Sequence, residues 1–205
     1  MIKIITIERE YGCGGGEIAQ KIADRLGWKL WDQLLTCEIA RLSNSDQSEV
    51  ECREERVDPL YYRLFKSILR GSFEGSLNLQ RVQMLDADCI LRITEQVVQK
   101  AASTGNCIIV GRGSQQFLRD RADTLRVFLF APREDKVRRL IAGGLSQREA
   151  EEAVDTVDRE RAAFIQKYFH KEWPNRSLYH TMLNTATGDE NVIQTILNLK
   201  KALDQ

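Results

Sequence analysis

The chain has 205 residues, 42% of them hydrophobic, with thirteen glycines and three prolines, enough for one sizeable core and a small inserted lobe. Thirty basic and thirty acidic side chains cancel and the sequence pI is about 6.8, which excludes the basic surplus of a general nucleic-acid binder and points to a small-molecule partner. The opening M-I-K-I-I-T-I-E is too short for a signal peptide and no later run approaches the about 20 apolar residues that span a bilayer, so a cytoplasmic protein without membrane contact is expected.

Lys3 to Ile7 is apolar and β-branched, as a strand buried on both faces of a parallel sheet would be. Ile18, Ala19, Ile22, Ala23 and Leu26 then recur at helical spacing up to Gly27. Trp28 to Trp31 predicts a second short strand with Asp32 at its end, and Leu35 to about Leu42 a helix. Ser43 to Arg56 is polar and reads as an exposed loop or mobile helix, Pro59 to Leu69 has helical spacing, and Gly71 to Leu79 is a loose connector. Ile90 to Ala102 predicts a helix; C-I-I-V-G-R-G at 107–113 and R-V-F-L-F-A-P at 126–132 predict central strands. Arg133 to Ala142 is helical, Gly143-Gly144 breaks it, and Ser146 with Glu149 forms a capping box that opens a helix to about Phe169. Leu178 to Leu183 suggests a last strand and Asp189 to Leu203 a closing helix. Strands alternating with helices indicate an α/β fold: a parallel sheet with helices on both faces, three layers in all.

Five cysteines, at 13, 37, 52, 89 and 107, are widely spread and form no C-x-x-C, which argues against a disulfide framework and a zinc site. His170 and His180 are the only histidines, too few for a histidine-rich metal site.

The most informative stretch is R-E-Y-G-C-G-G-G-E at 9–17, between the first strand and the first helix. Glycines there let successive backbone N–H groups face one concavity at the positive end of a helix dipole, an anion site by construction. Aligned on the phosphate-loop pattern G-x-x-x-x-G-K-[ST], Arg9 stands at the first glycine, Gly14 at the second, Gly15 where lysine belongs, and Glu17 near the hydroxyl position. The same glycines would equally let the helix pack close to the sheet. Glu17 suits the helix dipole but would repel phosphate. Cys13 sits where a helix N-terminus lowers a thiol pKa, or is simply a small loop residue.

Four blocks, I-T-I-E-R-E-Y-G-C-G-G-G-E-I-A, I-V-G-R-G, V-F-L-F-A-P-R-E-D-K-V-R-R and D-R-E-R-A, together resemble the cytidylate kinase-like family, a branch of the P-loop nucleoside monophosphate kinases. The resemblance implies a single kinase-like domain over 1–205, with a core of about 1–42, 88–142 and 177–205, a helical monophosphate-binding excursion over about 43–87 and a helical lid over about 143–176. It implies ATP and Mg2+ as cofactors and CMP or dCMP as the acceptor. Gly12, Cys13, Gly14, Gly15, Gly16, Glu17 and Arg9 would line the donor phosphates. Asp32, Arg92 and Arg112 would bind the acceptor, and Asp158, Arg159 and Arg161 would form the catalytic lid motif. The chain departs from the family pattern at Val110 and Gly113, where aspartates are usual, at Val154 and Gly16, where arginines are usual, and at Glu38.

Helix geometry bears on the lid independently. At 100° per residue, Ala150, Val154, Val157, Phe164 and Ile165 share one face; Asp158 and Arg161 fall inside it and Arg159 points away. The pair is either an i, i+3 staple or a phosphate-facing couple. Arg138 and Arg139 open the lid and would either stack on adenine or lie on a solvated face. In the expected mechanism the loop binds the β-phosphate while Arg161, Arg112 and Arg9 supply the charge of the missing lysine, and water and the nucleotide hold magnesium. The alternatives are a nucleotide- or anion-binding module without turnover, and a kinase for a different small acceptor.

Overall fold

The structure is a computed structural model that describes residues 1–32, residues 34, 35, 38, 39 and 42, and residues 87–205, with side chains from 91 onward in the second block. The expectations for 43–86 lie outside the described residues. Five strands, β1 (Ile4–Arg9), β2 (Lys29–Trp31), β3 (Cys107–Val110), β4 (Thr124–Phe130) and β5 (Thr181–Asn184), form one sheet in the order β2-β3-β1-β4-β5 with every pairing parallel. The helices are α1 (Gly15–Leu26), α2 (Ala87–Ser103), α3 (Ser114–Phe117), α4 (Arg133–Ala142), α5 (Gln147–Phe169) and α6 (Asp189–Leu203).

The two faces of the sheet divide the core by strand alternation. Ile4, Cys107 and Ile109 point to the layer built with Val97, Val98, Ala101, Phe164 and Ile165 of α2 and α5. Ile5, Ile7, Ile108 and Val110 point to the layer built with Ile18, Ile22, Val192, Ile193 and Ile196 of α1 and α6. All six residues of β1 are buried, as a continuous apolar run on the central strand requires. This is the expected three-layer α/β sheet. Among the described residues no helix is long and apolar enough to cross a membrane.

Several boundaries shift. α2 begins before Ile90, β4 begins at Thr124 and stops at Phe130, and β5 is Thr181–Asn184, while Leu178 ends a short 3-10 turn over Arg176–Leu178. Residues 35, 38, 39 and 42 are helical, within the stretch expected to be a helix, and residue 34, just before it, is helical as well.

β1 pairs with β3 through Ile7 and Val110 and with β4 through Arg9 and Leu129. The carboxyl ends of three parallel strands therefore lie side by side, the usual place for a ligand in an open α/β sheet. α5 is launched toward that edge by a complete capping box. The Ser146 hydroxyl accepts the Glu149 N–H at 3.3 Å, and the Ser146 N–H donates to Glu149 Oε2 at 3.0 Å. Ser146→Ala is expected to cost about 1 kcal/mol, read as a lower denaturation midpoint in urea at unchanged slope; an unchanged midpoint would show that the cap adds nothing to folding.

Candidate active site

After β1 the chain turns through Tyr11–Gly14 into α1. Gly12 has φ 79° and Gly14 φ 80°, values a side chain adopts only with strain. Gly12 also lies against α4, since a Cβ there would fall 3.1 Å from the Lys136 carbonyl oxygen and 3.1 Å from Leu140 Cδ1. Gly15 has a different reason to be glycine: its Cβ would stand 2.9 Å from Arg9 Cβ, closer than carbon atoms approach. Arg9 at the first-glycine position and Gly15 at the lysine position are thus two halves of one exchange. Position 15 must stay bare to make room for the Arg9 side chain.

The Arg9 guanidinium lies against Gly111, where a Cβ would fall 3.2 Å from Arg9 Cζ and overlap Nη1. Gly111 has φ 66° and donates its N–H to Ile7 O at 2.9 Å, so the G-R-G after β3 curls beside the end of β1. Arg9, Arg112 and Arg161 are each at most 3% exposed, and with Glu8, Gly113, Ile165 and Trp173 they enclose a cavity of about 10 Å³. Burial first and then the Arg9 charge push the Arg112 guanidinium down to about 9, against the opposing pull of Asp32. Arg161 is lowered for the same first two reasons. Both stay charged at neutral pH.

The carboxylates around this group are mostly committed elsewhere. Glu8 Oε2 accepts from Gln115 Nε2, and its Oε1 stands 4.0 Å from Arg9 Nη1. Asp32, 5% exposed, is 3.8 Å from Arg112 Nη2. Arg9 Nη2 is buried with no hydrogen-bond partner among the described residues. A tetrahedral oxyanion would answer that deficit with charge-assisted bonds.

A larger cavity of about 520 Å³ opens over the loop, lined by Arg9, Gly12, Gly14–Gly16, Glu17, Arg139, Leu140 and Arg161. The structure brings Gly12, Gly14, Gly15, Gly16, Glu17 and Arg9 together here, and Asp32 with Arg112 beside it. Cys13 turns inward instead: it is fully buried, its Sγ lies 3.7 Å from Leu129 O, and burial pushes the thiol up to about 11. The low-pKa alternative is thereby corrected, because burial outweighs the helix terminus.

Asp158 and Arg161 both turn toward the loop. Asp158 Oδ1 accepts the Tyr11 N–H at 2.8 Å and Arg161 Nη1 at 3.2 Å, while Oδ2 accepts Lys136 Nζ at 3.3 Å. Arg161 Nη1 also donates to Arg9 O at 2.9 Å. The i, i+3 staple is therefore present, and it clamps α5 onto the loop. Arg159 is exposed and bonds Asp155 O of its own helix; Arg92 is exposed on α2. Neither lines the two cavities.

Sequence reasoning missed three contributors. Lys136 is 8% exposed and bridges Glu10 Oε2, at 2.9 Å, to Asp158. Burial alone would push its ammonium down, but the two carboxylates outweigh that and hold it above the ordinary value. Its one sequence signal is the i, i+4 relation to Leu140 on the inner face of α4. Thr185, after β5, donates its hydroxyl to Cys13 O at 2.8 Å. Arg139, expected on a solvated face or on adenine, lies over Gly14 and bonds Asp189 Oδ1 at 2.7 Å, whereas Arg138 is exposed and pairs with Asp135.

Two departures from the family pattern have local reasons. Val110 faces the apolar layer under α1. Gly113, with φ 69°, caps α3, and a Cβ there would meet the Phe169 ring at 3.3 Å, so an aspartate would be crowded and strained.

No curated protein matches the chain. Among solved structures it is similar to an uncharacterized protein from Eubacterium ventriosum, with TM-score 0.69 at 18% identity over 98% of this chain and 99% of that one. It is also similar to a shikimate kinase from Acinetobacter baumannii, TM-score 0.54 at 15% identity over 98% and 94%, and to one from Bacteroides thetaiotaomicron, TM-score 0.51 at 16% identity over 98% and 98%. At such identities the likeness is one of fold, that of the P-loop kinases. The sequence itself matches the family over residues 4–187, across β1, the glycine loop, the G-R-G after β3 and α5 alike, and the chain belongs to the cytidylate kinase-like family.

Proposed function

We propose that the protein is a phosphotransferase that binds ATP with its phosphates over Gly12–Gly16 and passes the terminal phosphoryl group to a nucleoside monophosphate, CMP or dCMP, held toward Arg112 and Asp32. The observation that carries this reading is the convergence of Arg9, Arg112 and Arg161, all buried, between the loop cavity and the small cavity beside it. Arg9 and Arg161 line both, so a cation stands where donor and acceptor phosphates would meet.

Phosphoryl transfer asks little covalent work of a protein. An oxygen of the acceptor phosphate forms a bond to the terminal phosphorus of ATP as the bond to the bridging oxygen breaks, and ADP leaves. The chain's part is in-line placement and positive charge on the equatorial oxygens. Backbone N–H groups at the head of α1 would hold the donor phosphates, and Arg161 and Arg9 would face the transferring group.

Mg2+ would neutralise donor phosphate charge. Among the described residues no group of three or more His, Cys, Asp or Glu is placed to hold a metal. Glu10 is tied to Lys136 and Glu17 is exposed at the cavity, so the donor set suits an ion held chiefly by phosphates and water, with Glu17 in its surroundings.

Binding without transfer is the competing reading, and Glu17 on the cavity wall with Val110 in the core favours it. The likeness to shikimate kinases keeps a different small acceptor as a third.

Arg161→Ala should lower ATP-to-CMP phosphoryl transfer by roughly 10²-fold or more, followed as ADP and CDP formation under saturating Mg2+. Turnover equal to the parent would remove Arg161 from the mechanism, and a parent protein that is stabilised by ATP, by about 2.7 kcal/mol at a hundredfold excess over Kd, yet forms no product would establish the binder instead. Asp158→Asn keeps shape but withdraws the charge shared by Lys136 and Arg161; it should cost about 2–3 kcal/mol in urea unfolding and weaken ATP binding. Full stability in that variant would mean the clamp is dispensable.

A further inference from the structure

We infer that Arg139, anchored by Asp189, is the phosphate-binding cation at the head of α1 and performs there the charge role that the loop lysine has vacated. The inference rests on the reading that the cavity takes the phosphates of a nucleotide, and it names which side chain receives them.

Arg139 reaches from α4 across the start of α1. A Cβ on Gly14 would fall 3.0 Å from Arg139 Cζ and overlap Nη1, so the guanidinium rests directly on the residue that caps the helix. That is the positive pole of α1, an unfavourable place for a cation and a favourable one for an anion between the two. The position is held from the far side. Arg139 Nη2 donates to Asp189 Oδ1 at 2.7 Å, and Asp189, in the first turn of α6, also accepts Lys21 Nζ of α1 at 3.4 Å. The bond to Asp189, opposed by partial burial and helped by the Asp189 and Glu17 charges, raises the Arg139 guanidinium above its ordinary value.

With Nη2 fixed on Asp189, the edge bearing Nη1 is the one turned to Gly14. A phosphate over the loop would meet backbone N–H groups on one side and this edge on the other, while Arg139 offsets the repulsion from Glu17. Asp189 is a positioning residue, acting only through Arg139. This differs from a stacking role on the base, because the charge is placed on the loop.

The test uses the full chain and two probes, ATP and inorganic tripolyphosphate, with affinity read by calorimetry. Arg139→Gln should weaken both by about tenfold or more, the loss of one charge-assisted contact. Asp189→Asn should produce a smaller loss for both probes, and Asp189→Glu should restore part of it. Melting temperatures without ligand identify any general loss of fold, and Arg139→Lys, which keeps the charge, should retain tripolyphosphate binding better than Arg139→Gln. If Arg139→Gln weakens ATP and leaves tripolyphosphate unchanged, the residue serves the base and the inference is overturned. If the parent protein binds neither probe, the nucleotide reading fails and this inference with it; if the parent binds both and the variants equal it, the inference alone fails.

Discussion

One carboxylate sets the geometry of the site. Asp158 takes the Tyr11 N–H and Arg161 on one oxygen and Lys136 on the other, so the glycine loop, α4 and α5 are tied at a single point. A half-buried carboxylate is tolerable only when its lone pairs are satisfied by good donors, and here a backbone amide, an ammonium and a guanidinium do so. Because Arg161 also donates to Arg9 O, the residues on either side of Glu10 are both gripped by α5. The loop is therefore shaped by contacts from distant sequence as much as by its own glycines. Thr185, on Cys13 O, adds a hold from the segment after β5.

That arrangement explains the composition of the loop. A lysine at position 15 would place its Cβ into Arg9, and an arginine at position 9 needs the bare surface of both Gly15 and Gly111. Two glycines distant in sequence thus serve one side chain. The Arg9 charge stands at the end of β1, where burial makes each interaction stronger and each unmatched charge more costly.

How much of this could be read in the sequence depended on whether the signal was local. β1, α1 and the Ser146–Glu149 cap follow from periodicity and short-range hydrogen bonding, and all are present. The α5 stripe was equally legible: Ala150, Val154, Val157, Phe164 and Ile165 are buried with Arg161 among them, and Arg159 lies outside. Two charges on an apolar face marked the site before any fold was known. Lys136, Arg139 and Thr185 were not legible, since each owes its role to a partner 22 or more residues away. Arg139 and Arg138 are neighbours with the same chemistry, and only packing of α4 against Gly12 and Gly14 turns one to the loop and leaves the other in solvent. Cys13 misled for a related reason, because a helix terminus lowers a thiol pKa only if the sulfur stays near water, and this one faces the core.

In a chain of zero formal charge, the cations of this site are concentrated locally. Around the loop, Arg9, Arg112, Arg161 and Lys136 are matched in number by Glu8, Glu10, Asp32 and Asp158, so the site has little net charge. The match in number is not a match in geometry. Asp158 and Glu10 make short bonds that build the clamp, whereas Glu8 and Asp32 stand 4.0 and 3.8 Å from Arg9 and Arg112, near enough to lower the cost of burying those guanidiniums. At Arg9, whose Nη2 has no hydrogen-bond partner among the described residues, an oxyanion at hydrogen-bond distance would compete on better terms than Glu8. The short bonds thus fix the loop to α4 and α5, while the longer pairings offset the burial of the arginines beside it.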